Sequence, residues 1–270
     1  MPPTWEQKQI HENLLAAMAC YAALPLPQNV QRIGSLQVVY SGKPGPVFNT
    51  VQLTEPLAWE SECKRQLLEA DAFFRAHNAR WSFWLVEHLA QPTLLARIGA
   101  LLRSYDLAPH LRSLAMVAQT LAPPRRALAT LEFRRVLSVG QRFDFSFVMS
   151  RAFDTALPLY RDAYEPDSYW QPAVEGWVGY AQGRAVAAAT TVSLPNSIGL
   201  YGVAVLPEEQ GRGFGEAIVR HALCAALERG PQRYMVLEAS RAAAPLYRRL
   251  GFAAVSRVSV YNELSGRALQ

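Results

Sequence analysis

The chain has 270 residues, half of them hydrophobic and 18% charged, enough for two modest domains or one large one and against global disorder. It has no apolar run near 18 residues and no basic stretch followed by an apolar one at its start, which argues against a membrane span or a secretory signal. The net charge of +5 admits an anionic partner, but the arginines are dispersed in short pairs such as Arg125-Arg126 and Arg248-Arg249, a pattern that argues against a nucleic-acid surface.

The first half reads as mixed α/β. A helix over residues 6–21 is closed by Pro25 and Pro27. Residues 35–40 and 47–53 read as strands joined by the turn Ser41-Gly42-Lys43-Pro44-Gly45. A helix over 61–76 carries Leu67, Leu68, Phe73 and Phe74. Residues 81–86 form a continuous apolar run, hence a buried strand. Pro92 opens a helix with a stripe of Leu94, Leu95, Ile98, Leu101 and Leu102, and residues 114–118 give a last strand.

Pro123-Pro124 then interrupts any regular element, and only four of the sixteen glycines precede residue 130. The boundary is therefore placed near residue 127, giving domains 1–127 and 128–270.

In the second half, a strand over 131–137 leads into a helical stretch over 145–164. Strands over 176–181 and 185–193 flank Gln182-Gly183, a hairpin signal. Residues 198–205 are another strand, ended by Pro207. A glycine loop, a helix over 213–228, a strand over 234–238, a helix over 242–250 and a strand over 253–261 complete the order. The fold class is α/β, a mixed sheet with flanking helices.

The segment that carries chemistry is Val203-Ala204-Val205-Leu206-Pro207-Glu208-Glu209-Gln210-Gly211-Arg212-Gly213-Phe214-Gly215, followed by Glu216. Alternate glycines between a strand and a helix let a ligand approach the backbone closely. The first turn of the helix offers unpaired N–H groups and a positive dipole end, a site for a pyrophosphate. The spacing is Gly-x-Gly-x-Gly, not the Gly-x-Gly-x-x-Gly of a dinucleotide fold. A P-loop needs Lys followed by Ser or Thr, which Phe214-Gly215-Glu216 does not supply. Arg212 reads either as a phosphate contact or as a solvated side chain. His221 lies on the apolar face of the helix and reads as a structural residue rather than a base.

This segment resembles the acyl-CoA-binding motif of the GNAT (GCN5-related N-acetyltransferase) superfamily, Gln/Arg-x-x-Gly-x-Gly/Ala, at Gln210, Gly213 and Gly215. A second block, Leu237-Glu238-Ala239-Ser240 followed by Pro245-Leu246-Tyr247-Arg248-Arg249-Leu250-Gly251-Phe252, is similar to the family's later Leu-Tyr-x-x-x-Gly-Phe motif. Ser240 stands where many members carry Asn. The resemblance covers residues 130–262.

The resemblance implies an N-acetyltransferase that uses acetyl-CoA, without a metal, to acetylate a primary amine on a small molecule or peptide. Backbone groups of Val203, Ala204 and Val205 would hold the pantetheine arm, with the Val205 amide on the thioester carbonyl. Residues Gln210, Gly211, Arg212, Gly213, Phe214, Gly215 and Glu216 would hold the cofactor. Tyr247 would be the acid for the departing thiolate, though its ring reads equally well as packing between helix and sheet. For the base, Glu238, Glu175 and Asp144 all remain open, as does a water chain that deprotonates the amine instead.

The first half lacks such a loop and resembles a degenerate GNAT-like half of tandem members, expected to wall part of the substrate cleft. The rival reading is a non-catalytic acyl-CoA sensor. Cys20, Cys63 and Cys224, odd in number and without metal spacing, fit a cytoplasmic protein and read as buried small hydrophobes. Oligomeric state stays open, a homo-oligomer included.

Overall fold

The computed structural model describes residues 3–22, 29–57, 59–230 and 234–263. Pro25 and Pro27, expected to close the first helix, lie outside the described residues. In chain order the elements are α1 (Trp5–Ala19), β1 (Val30–Ile33), β2 (Leu36–Val39), β3 (Thr50–Leu53), α2 (Glu60–Ala76), β4 (Ser82–Val86), α3 (Pro92–Arg103) and β5 (Leu107–Ala118). There follow β6 (Glu132–Arg135), α4 (Val139–Ala152), α5 (Leu157–Tyr164), β7 (Val174–Ala181), β8 (Arg184–Ser193), β9 (Ser197–Val205), α6 (Phe214–Leu227), β10 (Tyr234–Ala239), α7 (Ala244–Arg249) and β11 (Ala253–Glu263).

The chain divides into two compact units. One combines Met1–Ala115 with Ala239–Arg241 and Ala254–Gln270; the other combines Met116–Glu238 with Ala242–Ala253. A cut at residue 127 is therefore a different division of the chain, because it parts the last strand from the unit in which that strand is counted.

In the first unit the strand order is β1-β2-β3-β4-β11-β5. β1, β2 and β3 form an antiparallel meander, β3 and β4 run parallel around α2, and β11 pairs antiparallel with β4 from Val258↔Val86 to Asn262↔Ser82. The core holds Ile10 and Leu14 of α1, Leu67 and Phe74 of α2, and Leu36, Leu53, Phe83 and Leu85 of the sheet, all about fully buried. Burying each such side chain contributes roughly 1.5–3 kcal/mol. Thr4 and Gln7 close a capping box at the start of α1, satisfying amides that the helix cannot pair itself.

In the second unit the order is β10-β9-β8-β7-β6, antiparallel throughout except for the parallel pair β9/β10. Helices α4 and α6 both pack against β7, β8 and β9. The side chains of α6 that face inward are Phe214, Ala217, Ile218, Ala222 and Leu223, the stripe expected of an amphipathic helix.

Several expectations are corrected. The helical stretch over 145–164 is two helices. α4 starts earlier, at Val139, where Ser138 and Gln141 make a capping box. It stops at Phe153 and Asp154, the latter at φ 48°, because Pro158 has no N–H and its ring would clash with the carbonyl four residues back. β1 was not expected; its residues Val30-Gln31-Arg32-Ile33 join β2 through the two-residue turn Gly34-Ser35, with Gly34 at φ 56°. β5 begins at Leu107 rather than 114, its middle exposed at residues 109–112, so no alternation marked it. Cys224 is exposed, on the α6 face away from the buried stripe, whereas Cys20 and Cys63 are buried.

Candidate active site

The site is built from a strand that leaves its neighbour. β10 pairs with β9 from Tyr234↔Ser197 to Leu237↔Leu200 and no further. On its other side β9 continues along β8, Ala188 opposite Ala204 and Ala187 opposite Val205. Between these stretches Ala188 faces Ala204 while Thr190 faces Tyr201, so Gly202 and Val203 together stand opposite the single residue Ala189. This is a β-bulge, and Gly202 takes φ 56° there. A bulge bends and twists its strand. It lies where β9 and β10 part, leaving Val203, Ala204 and Val205 without a strand partner on the β10 side. A Cβ on Gly202 would also stand 3.3 Å from Met149 Cε of α4.

Past β9, the Leu206 amide donates to the Val186 carbonyl at 3.0 Å, and Pro207–Glu209 make one 3-10 turn. Gly211 at φ 77° and Gly213 at φ 87° supply the left-handed conformations that turn the chain into α6, which side chains with a Cβ rarely adopt. Gly213 is the N-cap residue, and no side chain caps the helix. The Ala217 amide is bonded to the Gly213 carbonyl, so the amides of Phe214, Gly215 and Glu216 before it form the open first turn.

Gly215 needs neither unusual dihedrals nor extra room. A Cβ there would make ordinary contacts with Val205 Cγ2 at 3.7 Å and Leu246 Cδ2 at 3.8 Å. Through those two contacts the end of β9, the first turn of α6 and the helix α7 meet at one residue. The two motif blocks, far apart in sequence, are brought together.

The remaining residues of the loop divide by role. Phe214 is buried, so only its backbone is available to a ligand. Arg212 is 59% exposed, ion-paired with Glu209, and lies over the Phe214 ring at 4.9 Å. Glu209 also receives Arg184 at 2.5 Å. The Gln210 side chain donates to the Val205 carbonyl at 3.4 Å, and Glu216 pairs with Arg220 at 2.9 Å.

Tyr247, on α7, is 5% exposed and packs edge-on against Phe252 with ring centroids 5.9 Å apart. Burial pushes its phenol further above its ordinary value, so it is protonated at any neutral pH.

The three carboxylates considered for the base differ sharply. Glu175 Oε1 is held by Arg135 at 2.6 Å and by Arg229. Asp144 accepts from the Tyr180 hydroxyl at 2.6 Å. Glu238 follows the last residue of β10 that pairs with β9; its Oε1 is enclosed and has no hydrogen-bond partner among the described residues. Burial pushes its carboxyl up to about 8.

His221 stacks on Phe133 at 4.0 Å and meets Trp177 edge-on at 4.3 Å, with burial lowering its pKa. It is a packing residue. Arg126 was missed by sequence reasoning: its guanidinium Nη2 lies 3.6 Å from where a Gly213 Cβ would stand. No local pattern joins it to a loop almost ninety residues later.

Residues 145–252 match the acetyltransferase (GNAT) family model. This segment is a GNAT domain. The GNAT fold supports acyl transfer, and the family uses acetyl-CoA.

Along nearly its whole length the chain is similar in structure to a GCN5-related N-acetyltransferase from Kribbella flavida, at 18% identity, 96% coverage of each chain and a TM-score of 0.72. It is similar to a functionally unknown conserved protein from Staphylococcus epidermidis at 15% identity, covering 90% of this chain and 97% of that one, with a TM-score of 0.61. A tandem GNAT protein from the clavulanic acid biosynthesis pathway gives 15% identity, 96% and 95% coverage, and a TM-score of 0.56. At such identities the likeness concerns the fold, a tandem GNAT-like arrangement that spans nearly the whole chain. No curated protein matches the sequence.

Among the described residues no group of three or more His, Cys, Asp or Glu side chains is placed to hold a metal ion, and no helix is long and apolar enough to cross a membrane.

Proposed function

We propose that the protein is an N-acetyltransferase that moves the acetyl group of acetyl-CoA to a primary amine, with its site in residues 128–270. One observation carries this reading. At Gly215 an open strand edge, an uncapped helix start and the tyrosine-bearing helix converge.

The chain's residues fit the cosubstrate. The amides of Gly213, Phe214, Gly215 and Glu216 suit a pyrophosphate, because the helix start is positive and no side chain competes for it. Gln210, Gly211 and Arg212 shape the approach. The edge of Val203, Ala204 and Val205 suits the amide-bearing pantetheine arm, which adds as a strand would. Acetyl-CoA bound there supplies a thioester carbonyl already reactive toward amines.

What the protein must then provide is alignment, an N–H on the developing oxyanion and two proton transfers. The Val205 amide is the donor to the carbonyl. The amine nitrogen bonds to the acyl carbon and the carbon–sulfur bond breaks. The amine's proton passes to Glu238, and the thiolate takes the proton of Tyr247. Glu238 suits the first task because a base works best when its pKa lies near the working pH, and its Oε1 is not committed to another group.

The acceptor is a small-molecule or peptide amine. A cytoplasmic setting goes with this reading and with three unbridged thiols.

Calorimetry with CoA, followed by thiol release from acetyl-CoA across an amine panel, tests the proposal. Saturable binding and amine-dependent thiol release are expected. Binding without release for any amine favours a non-catalytic sensor, and no heat from the folded protein removes the reading altogether.

A further inference from the structure

We infer that Arg125, Arg126 and Arg249 form a clamp for the 3′-phosphate on the ribose of CoA, which makes the protein select CoA over carriers lacking that group. The inference rests on the acetyl-CoA reading above.

The stretch around Pro123-Pro124 is fastened to the GNAT domain's helices. The Ala122 amide donates to the Leu250 carbonyl at 2.9 Å, and the Ala122 carbonyl accepts from Arg220 Nη1 at 2.7 Å. Gly251, at φ 99°, lies so close that a Cβ there would stand 3.1 Å from the Thr120 carbonyl oxygen. A segment held at both ends of one residue by α6 and the end of α7 is a fixed wall.

That wall carries Arg125 and Arg126. Together with Pro123, Glu216, Arg220 and Arg249 they line a cavity of about 370 Å³. A neighbouring cavity of about 170 Å³ is lined by Arg126, Arg212, Gly213 and Glu216, among others. The two share Arg126 and Glu216. The first cavity therefore opens beside the loop that suits the pyrophosphate, with Arg126 reaching over Gly213.

The charge there is unbalanced. Four arginines face one carboxylate, and Glu216 is paired with Arg220. Arg125 and Arg126 have no acidic partner among the described residues. Arg249 donates to the Pro245 carbonyl at 3.3 Å and likewise has no carboxylate. Three guanidinium groups gathered without counter-charge repel one another and attract an anion. CoA has such an anion one ribose beyond its pyrophosphate, and the arginine-lined cavity adjoins the loop that suits the pyrophosphate through Arg126 and Glu216. Pantetheine thioesters and acyl carrier proteins do not.

The test titrates the full chain with CoA and with 3′-dephospho-CoA by calorimetry at low salt. CoA is expected to bind about tenfold more tightly, a preference that shrinks as salt is raised. In Arg125→Ala/Arg249→Ala the preference falls toward one, and continued binding of 3′-dephospho-CoA shows that the variant is folded. Arg125→Lys/Arg249→Lys, which keeps the charge, retains most of the preference. Equal affinity of the wild-type chain for both ligands overturns the clamp, as does an equal loss for both in the alanine variant. Absence of heat with either ligand overturns the acetyl-CoA reading itself, a separate outcome.

Discussion

Leu57 and Ala90 form a parallel bridge beyond the ends of β3 and β4, with the Leu57 amide donating to the Leu89 carbonyl at 2.8 Å. The unit β3-α2-β4 repeats the order of β9-α6-β10: a strand, a helix and a parallel strand. In the first case the strands close again past their ends, and the connection Thr54-Glu55-Pro56-Leu57-Ala58-Trp59 has no glycine. In the second, pairing stops at Leu200 and the connection has two glycines, Gly211 and Gly213. An extended ligand arm needs the open edge, so only the second copy offers one. Calorimetry is expected to give one CoA per chain. A stoichiometry of two sinks this reading of the first copy.

Tyr247→Phe keeps the ring that packs on Phe252 and removes the proton donor. Turnover is expected to fall by roughly 10²-fold or more, the usual scale for a lost general acid. CoA affinity stays within about twofold, because the pyrophosphate loop is untouched. Wild-type turnover in the variant would return Tyr247 to a packing role.

Glu238 gives a pH signature in stability as well as in rate. Its carboxyl sits at about 8 in the folded chain against an ordinary 4.5. Between these values the folded state keeps a proton that the unfolded state has lost. Its contribution to stability is thus full below about 4.5, declines as pH rises through this window and levels off above 8. Glu238→Gln removes the titration, so the variant gains on the wild type across that range by up to about 5 kcal/mol in chemical denaturation. Turnover in the same variant loses its rise toward pH 8, with KM for acetyl-CoA little changed. Parallel stability curves for the two proteins refute the burial argument.

β11 completes the first unit's sheet, where Val258 and Val260 are buried and paired with Val86 and Trp84 of β4. Residues 1–127 expressed alone lack this strand and expose the edge of β4, an apolar run that invites aggregation. Circular dichroism and size-exclusion chromatography are expected to show an aggregated or unfolded fragment. A monomeric fragment with a cooperative thermal transition would contradict this dependence. Supplying residues 253–263 through a flexible linker restores solubility.

The sequence by itself determined what is local. Gln210, Gly211, Gly213 and Gly215 announce a tight strand-to-helix loop because backbone freedom and an open helix start follow from residue type within a few positions. The block from Pro245 to Phe252 is legible for the same reason, as are the hairpin at Gln182-Gly183 and the helix opened by Pro92. Only the tertiary structure decided what joins distant residues: the bulge at Gly202 set against Ala189, the convergence of Val205 and Leu246 on Gly215, the arrival of Arg126 over Gly213, and the pairing of β11 with β4. Strand register and inter-helix packing depend on contacts summed over the whole fold, and no single stretch of chain carries that information. The two paired arginines at 125–126 look like dispersed surface charge until the Ala122 hydrogen bonds fix them beside the loop.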